Sequence, residues 1–340
     1  MSIDYKTVRK TGRSRLKGYC RVCPVCDGRA CSGEVPGMGG IGSGMAFTAN
    51  LQALASFRFR MRAIHNVKDP DTTVQIWGNK LSLPLMAAPM TGTSYNMGGE
   101  LSEEEFVSCI ITGSIDAGTI GFTGDGADPA MFGSGIKGIK ESGGHGVAII
   151  KPRSQQEIIS RIKKAEDAGA VAVGVDIDGA GLVTMAQMGQ AVGPKSADEL
   201  AELVRSTRLP FVLKGIMSPE DALAAMEAGV SAIVVSNHGG RVLDWTPGAA
   251  EVLPGISSLV RGRMTVIADG GVRYGGDVLK LLALGADAVL VGRPLITGAF
   301  GGGKEGVALV LNKMKQELIQ AMLLTGTSSV SMVDPGIIER

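Results

Sequence analysis

Short apolar runs recur along the chain from residue 83 onward, separated by segments of helical length. The runs are continuous and rich in β-branched residues, which is typical of strands buried on both faces of a parallel sheet. Successive runs start about 29 residues apart, the length of one strand–helix unit. The predicted strands are 83–88, 118–122, 146–150, 171–176, 211–214, 232–236, 265–269 and 288–291. Eight such units predict the α/β class and a (β/α)8 TIM barrel.

Helix-start signals fall between the predicted strands. Ser102-Glu-Glu-Glu105 and Ser218-Pro-Glu-Asp221 each place an N-cap residue before an acidic first turn.

The regular alternation of predicted strands begins at residue 83. We therefore divide the chain into an N-terminal extension with a cysteine cluster and a lead-in, residues 1–80, and a barrel with a C-terminal helix, residues 81–340.

Charge and hydropathy narrow the possible functions. The 340 residues include 34 Lys and Arg against 33 Asp and Glu, so the net charge of +1 gives no footprint for nucleic acid. A local excess lies in residues 1–34, with eight basic and three acidic side chains, which we interpret as a solvated arm or subunit contact. No apolar run approaches the ~20 residues of a membrane helix, and the basic N-terminus lacks the apolar stretch of a signal peptide. We expect a cytoplasmic protein with a small-molecule ligand.

Four of the five cysteines lie close together in the pattern C-x2-C-x2-C-x4-C: Cys20, Cys23, Cys26 and Cys31. Soft ligands at this spacing can wrap one zinc ion or an iron–sulfur cluster, because Pro24 and Gly28 let the chain curl. The pattern matches neither the paired zinc arrangement nor the ferredoxin run. A metal site and a set of reduced thiols or transient disulfides therefore both remain open.

In a (β/α)8 barrel the functional residues follow the carboxyl ends of the strands. Here those positions are rich in cations, including Lys151, Lys214 and Arg241. Asp269-Gly-Gly-Val-Arg273 and Gly292-Arg293 follow the seventh and eighth strands, where glycine N–H groups and a helix N-terminus commonly hold a phosphoryl group. The sequence therefore predicts a phosphate-bearing ligand.

Four motifs occur in a characteristic order: Leu213-Lys-Gly-Ile216, Val235-Ser-Asn-His-Gly-Gly-Arg-Val-Leu-Asp244, Ala268-Asp-Gly-Gly-Val-Arg273 and Leu290-Val-Gly-Arg-Pro294. Together they resemble the FMN-dependent 2-hydroxy-acid oxidising family, which includes glycolate oxidase, lactate oxidase and flavocytochrome-type lactate dehydrogenases. The likeness extends from about Gly39 to Asp334. It implies the barrel fold, FMN as cofactor, and a homo-oligomer of four or eight subunits.

The resemblance also implies residue roles. His238 would take a proton from the substrate while a hydride passes to flavin N5, and Arg241 would pair with the substrate carboxylate. Asp176 would stabilise the protonated histidine, and Lys214 would place positive charge beside the flavin N1/O2 edge. The residues implied to bind the cofactor are Ala87, Ala88, Pro89, Lys214, Ser236, Asp269, Gly271, Arg273, Gly292 and Arg293.

Four polar residues of the family's substrate pocket, at three places in the chain, have no counterpart here. The lead-in tyrosine is replaced by the segment 35–38, the glutamine and tyrosine of strand three by Gly146 and Ala148, and the second arginine by the segment 179–183. One carboxylate clamp remains where the family has two. We therefore expect a larger substrate than a small 2-hydroxy acid, or one held by Lys151, by the segment 185–188 or by the cysteine segment.

Three functions follow from these residues. The first is oxidation of a 2-hydroxy acid to a 2-oxo acid, because the base, the arginine and the flavin lysine are all present. The second is another FMN reaction, such as an isomerisation resembling that of the type 2 isopentenyl diphosphate enzyme, against which His238-Gly-Gly-Arg241 argues. The third is a redox module in which the cysteine cluster exchanges electrons with FMN. The sequence does not indicate the electron acceptor.

Overall fold

The computed structural model describes residues 3–340. Eight parallel strands, β4 to β11, close into a barrel in chain order, with helices around them, which confirms the predicted (β/α)8 architecture. The strands are β1 (Arg58–Phe59), β2 (Val74–Ile76), β3 (Asn79–Leu81), β4 (Leu85–Ala87), β5 (Gly121–Thr123), β6 (Gly146–Ile150), β7 (Ala172–Asp176), β8 (Phe211–Ile216), β9 (Ala232–Val235), β10 (Thr265–Ala268), β11 (Ala288–Val291) and β12 (Ile338–Glu339).

Twelve helices accompany these strands in the described part of the chain. They are α1 (Tyr5–Arg15), α2 (Met45–Ser56), α3 (Thr93–Asn96), α4 (Glu103–Asp116), α5 (Pro129–Glu141), α6 (Gln155–Asp167), α7 (Val183–Gln187), α8 (Ala197–Arg205), α9 (Pro219–Glu227), α10 (Ala249–Val260), α11 (Gly275–Ala283) and α12 (Arg293–Thr325). The last is kinked at Gly302 and Gly303, whose backbone angles are not helical.

The predicted helix starts are confirmed. Ser102 and Glu105 form a reciprocal capping box at the start of α4: the Ser102 hydroxyl accepts from the Glu105 N–H at 3.2 Å, and the Glu105 carboxylate accepts from the Ser102 N–H at 2.8 Å. Ser218 caps α9 in the same position by accepting from the Asp221 N–H.

Each predicted barrel strand overlaps an observed one, and the largest difference is at β5. The prediction begins at residue 118, whereas β5 begins at Gly121. Gly118 has φ of +76° and lies directly after the C-cap of α4, so residues 118–120 connect the helix to the strand.

The inward-facing side chains of the barrel strands form an apolar core, with Met86, Phe122 and Ile267 fully buried. The β2–β3 hairpin adds Ile76 and Leu81 to the same cluster. The barrel interior is therefore packed rather than hollow.

The N-terminal extension packs on the C-terminal part of the chain. Helix α1 packs on α12. The contact is so close that a Cβ added at Gly301 would lie 2.1 Å from the carbonyl oxygen of Val8. Strand β1 pairs with β12, joining Phe59 to Ile338. The division at residue 80 and the homo-oligomeric state remain predictions. In the described residues, no helix combines the length and apolarity needed to cross a membrane.

Candidate active site

A cavity lies at the carboxyl ends of the barrel strands and collects most of the predicted residues. Its lining includes Ala88, Pro89, Lys151, Asp176, Lys214, His238, Arg241, Asp269, Gly271, Arg273, Gly292 and Arg293. Two predicted residues lie behind this lining. Ala87 is fully buried within β4, and the Ser236 hydroxyl accepts hydrogen bonds from Lys214 Nζ at 3.3 Å and from the His238 N–H at 3.0 Å.

His238 follows β9 and has φ of +57°, a backbone conformation that residues other than glycine rarely adopt. Its Nδ1 lies 3.0 Å from Asp178 Oδ1. A carboxylate only accepts, so Nδ1 carries the hydrogen and the lone pair of Nε2 is left for a substrate proton.

A second carboxylate lies closer to His238 than Asp176, whose expected role stays a prediction. Asp176 Oδ2 is 3.9 Å from His238 Nδ1, whereas it accepts from Lys151 Nζ at 2.6 Å. The reason is local: β7 ends at Asp176, and the 3-10 turn Ile177–Gly181 that follows brings Asp178 back beside the imidazole. Asp178 also follows this strand end in the sequence, but no role was predicted for it.

Gly215 makes room for Asp178. It has φ of +98° and lies at a register irregularity of β8, and a Cβ there would lie 2.4 Å from Asp178 Cγ. Any side chain at this position would displace the carboxylate.

Burial sets the protonation of the imidazole. Loss of hydration and the positive charge of Lys214 lower the pKa of His238, and the Asp178 carboxylate opposes them only in part. Burial also opposes the charge of Asp178, but His238 and Lys214 outweigh it and lower the pKa of Asp178 to about 2. The site thus favours a neutral imidazole beside an ionised carboxylate.

Asp176, Asp178 and His238 place one ligand atom each within 4.8 Å of one another, a spacing that a metal ion could use. Lys151 already pairs with Asp176, and the ammonium of Lys214 lies in the field of the same carboxylates. The cationic side chains balance the carboxylates, so we interpret this group as an acid–base set.

Lys214 is buried and remains charged. Burial disfavours its ammonium, but Asp178, Asp269 and Asp176 raise its pKa above the ordinary value. It supplies a positive charge to the lining of the cavity, and the family resemblance implies that this charge lies beside the flavin.

Arg241 lies in the cavity wall and contacts no carboxylate in the described part of the chain. It donates to the carbonyl of Gly37 and, at 3.0 Å, to Asn96 Oδ1. Burial lowers the pKa of Arg241 to about 10, which still leaves it charged. A guanidinium held by neutral acceptors and facing a cavity suits an anionic ligand. Asn96 was missed in the sequence because nothing near it in the chain signals this contact.

The corner after β10 and β11 has the features of a phosphate site. Gly270 and Gly271 have φ of +96° and +81°, which lets the backbone turn toward the cavity. Arg273 Nε is buried without a partner among the described residues. Burial and the positive charges of Arg273 and Arg241 lower the pKa of Arg293. An anion bound here would supply a counter-charge and so favour the charged guanidinium. These residues fit the phosphate end of FMN.

The part of the cavity wall where family groups are missing is lined differently. Lys151, Leu182 and Thr184 contribute to it, and Tyr95 of α3 lines the same cavity. Met185 is fully buried away from the cavity, and Met188 is exposed. Of the three substitutes proposed from the sequence, only Lys151 lines this cavity.

The four clustered cysteines line a second cavity, together with Arg9, Arg21, Arg273 and Arg293. All four are free thiols. Arg273 Nη2 donates to Cys26 Sγ at 3.4 Å, so this arginine lines both cavities.

Comparison with known proteins finds relatives along most of the chain. The family model for FMN-dependent dehydrogenase matches residues 37–188 and 183–340. 2-Hydroxyacid oxidase 1 of Mus musculus is 31% identical, covering 86% of this chain and 87% of the relative. 4-Hydroxymandelate oxidase of Amycolatopsis orientalis is 32% identical, covering 86% and 89%.

A shorter, stronger match and a solved structure extend the comparison. 2-Hydroxyacid oxidase of Dictyostelium discoideum is 52% identical over 141 residues, which cover 42% of this chain and 36% of the relative. A crystal structure of mandelate oxidase with benzoyl-formic acid superposes with a TM-score of 0.80 at 28% identity, covering 98% of this chain and 97% of that one. The predicted family is confirmed: this chain belongs to the family of FMN-dependent dehydrogenases.

Proposed function

We propose that this protein oxidises a 2-hydroxy acid to the corresponding 2-oxo acid with FMN as the hydride acceptor. The observation that carries the proposal is the pairing of two groups in one cavity. A neutral imidazole is backed by a carboxylate, and a buried guanidinium without a carboxylate partner lies in the same wall. The names of the relatives, which are 2-hydroxyacid and 4-hydroxymandelate oxidases, support the same reaction.

The chain's own residues divide the work. Arg241 would bind the substrate carboxylate and so fix the hydroxyl-bearing carbon relative to His238. His238 Nε2 would take the hydroxyl proton, and Asp178 would stabilise the imidazolium that results. When bound, FMN supplies the two-electron acceptor for the hydride that leaves the same carbon. Lys214 would favour negative charge at the cofactor.

The cofactor would be held by the corner after β10 and β11. Arg273 and Arg293 would bind its phosphate, and Asp269, which has an unpartnered buried Oδ1, would accept from its ribityl hydroxyls. Ala88 and Pro89 would line the ring.

We further propose a substrate whose 2-substituent is larger and more apolar than a methyl group. Met38, Met90, Met97 and Leu182 line the cavity, and the polar pocket groups of the family are absent. Apolar walls favour an apolar substituent, because its transfer from water releases about 25 cal/mol per Å². Mandelate-type acids are suitable first substrates.

An anaerobic titration with a panel of 2-hydroxy acids, following flavin absorbance, tests the reaction. We expect bleaching by at least one acid with a bulky apolar substituent, and little bleaching by glycolate. If no acid bleaches a flavin that the protein demonstrably holds, oxidation of 2-hydroxy acids is not its reaction. If glycolate is the best reductant, the proposed substrate size is wrong.

A further inference from the structure

The four-cysteine cavity adjoins the substrate cavity and shares Met38, Arg273 and Arg293 with it. Cys20, Cys23, Cys26 and Cys31 reach it from a segment of twelve residues that wraps around it. Phe47 packs against Gly28 so closely that a Cβ there would lie 2.3 Å from its ring, which fixes the turn in the middle of the segment.

The cavity beside the four thiols has room for more than a single metal ion. Zn–S bonds of about 2.3 Å place the four sulfurs of a tetrahedral site about 3.8 Å apart. In the described residues, the thiols do not form a group of three whose sulfurs all lie within 4.8 Å of one another. The cavity has a volume of about 90 Å³, whereas about 10–15 Å³ holds one water. The four thiols therefore line part of a cavity with room for a group larger than one ion.

The surroundings favour an anionic, sulfur-ligated group. The Val22 N–H donates to Cys20 Sγ at 3.4 Å, and Arg273 donates to Cys26 Sγ at 3.4 Å. Hydrogen bonds to ligand sulfur stabilise the negative charge of a thiolate-bound cluster. Arg9 is held at the cavity by the carbonyls of Val22 and Cys23, at 3.1 and 2.8 Å.

We infer that this cavity binds an iron–sulfur cluster through Cys20, Cys23, Cys26 and Cys31. The first three cysteines share the C-x2-C-x2-C spacing of ferredoxin clusters, and all four line one cavity with room for more than one ion. Arg273 connects the site to the phosphate corner of the FMN cavity. The inference concerns binding at this site and stands apart from the proposed substrate.

Anaerobic reconstitution of the full-length protein with ferrous iron and sulfide tests the inference. We expect iron and acid-labile sulfide in near-equal amounts, with several iron atoms per chain, and an electron paramagnetic resonance signal after reduction with dithionite. Cys23→Ser should lose most of the bound iron. Cys109→Ser is the matched control, because Cys109 lies in α4, outside the cavity, and should retain full iron content.

Two results would overturn the inference. One is binding of a single zinc ion per chain, in competition with iron and without sulfide. The other is mass spectrometry of the alkylated protein showing disulfides within the cluster after reconstitution, with no iron bound. FMN content and bleaching by a 2-hydroxy acid are measured on the same samples, so failure of the cluster site is distinguished from failure of the proposed oxidation.

Discussion

His238 Nδ1 lies 3.0 Å from Asp178 Oδ1, whereas Asp176, at the end of β7, accepts a hydrogen bond from Lys151 Nζ. Two carboxylates separated by one residue therefore do different work. One contacts the imidazole of His238, and the other compensates the buried ammonium of Lys151.

Asp178→Asn should lower kcat/KM by about 10²–10⁴-fold, because the imidazolium loses its counter-charge and the preferred tautomer is no longer enforced. Asp176→Asn provides the comparison and should cost less, since Asp176 does not hydrogen-bond to the base. Steady-state kinetics with matched FMN content measures both. A larger loss in Asp176→Asn would return the stabilising role to Asp176.

The acid side of the pH profile reports on His238. The base works only when unprotonated, and burial together with Lys214 lowers its pKa, so kcat/KM should fall only as the pH drops below about 6.5. Asp178 raises the pKa of His238, so Asp178→Asn should move this fall to still lower pH. A fall centred above 6.5 in the unmodified protein would contradict this assignment.

Arg241→Met should raise KM by about 10- to 100-fold, since each hydrogen bond to a charged group contributes about 1.5–3 kcal/mol. Asn96→Ala keeps the guanidinium but removes one acceptor that orients it, so its effect should be smaller. Binding of a 2-oxo acid, followed by perturbation of the flavin spectrum, separates affinity from turnover. Equal affinity in Arg241→Met and the unmodified protein would remove Arg241 from the carboxylate site.

Gly215→Ala should reduce kcat strongly while FMN is retained, because the new Cβ would occupy the space of the Asp178 carboxylate. Gly262→Ala is the control. Gly262 has φ of +77° but open space around its Cβ position, so that variant carries only backbone strain of about 1–2 kcal/mol. Thermal unfolding and kcat are measured on both. If the two variants lose stability and activity to the same extent, Gly215 acts through the backbone alone.

The order of the barrel strands and the positions of most site residues were predictable from the sequence. Buried parallel strands are continuous apolar runs, and the residue that follows such a run must lie at the carboxyl edge of the barrel. Lys151, Lys214, His238 and Arg241 were found in this way, and the structure brings all four to one cavity.

Contacts that depend on how loops fold were not predictable. Asp178 reaches His238 through a 3-10 turn and the space beside Gly215. Asn96, in α3, reaches Arg241 across 145 residues of the chain. No local pattern encodes either contact, since each requires the relative positions of two separate strand ends. The arrangement of the four cysteine side chains around one cavity likewise depends on how their segment folds. The sequence determined which residues stand at the open end of the barrel, because strand periodicity is local. Only the tertiary structure decided which carboxylate partners the base, because a hydrogen bond depends on distances that local periodicity does not set.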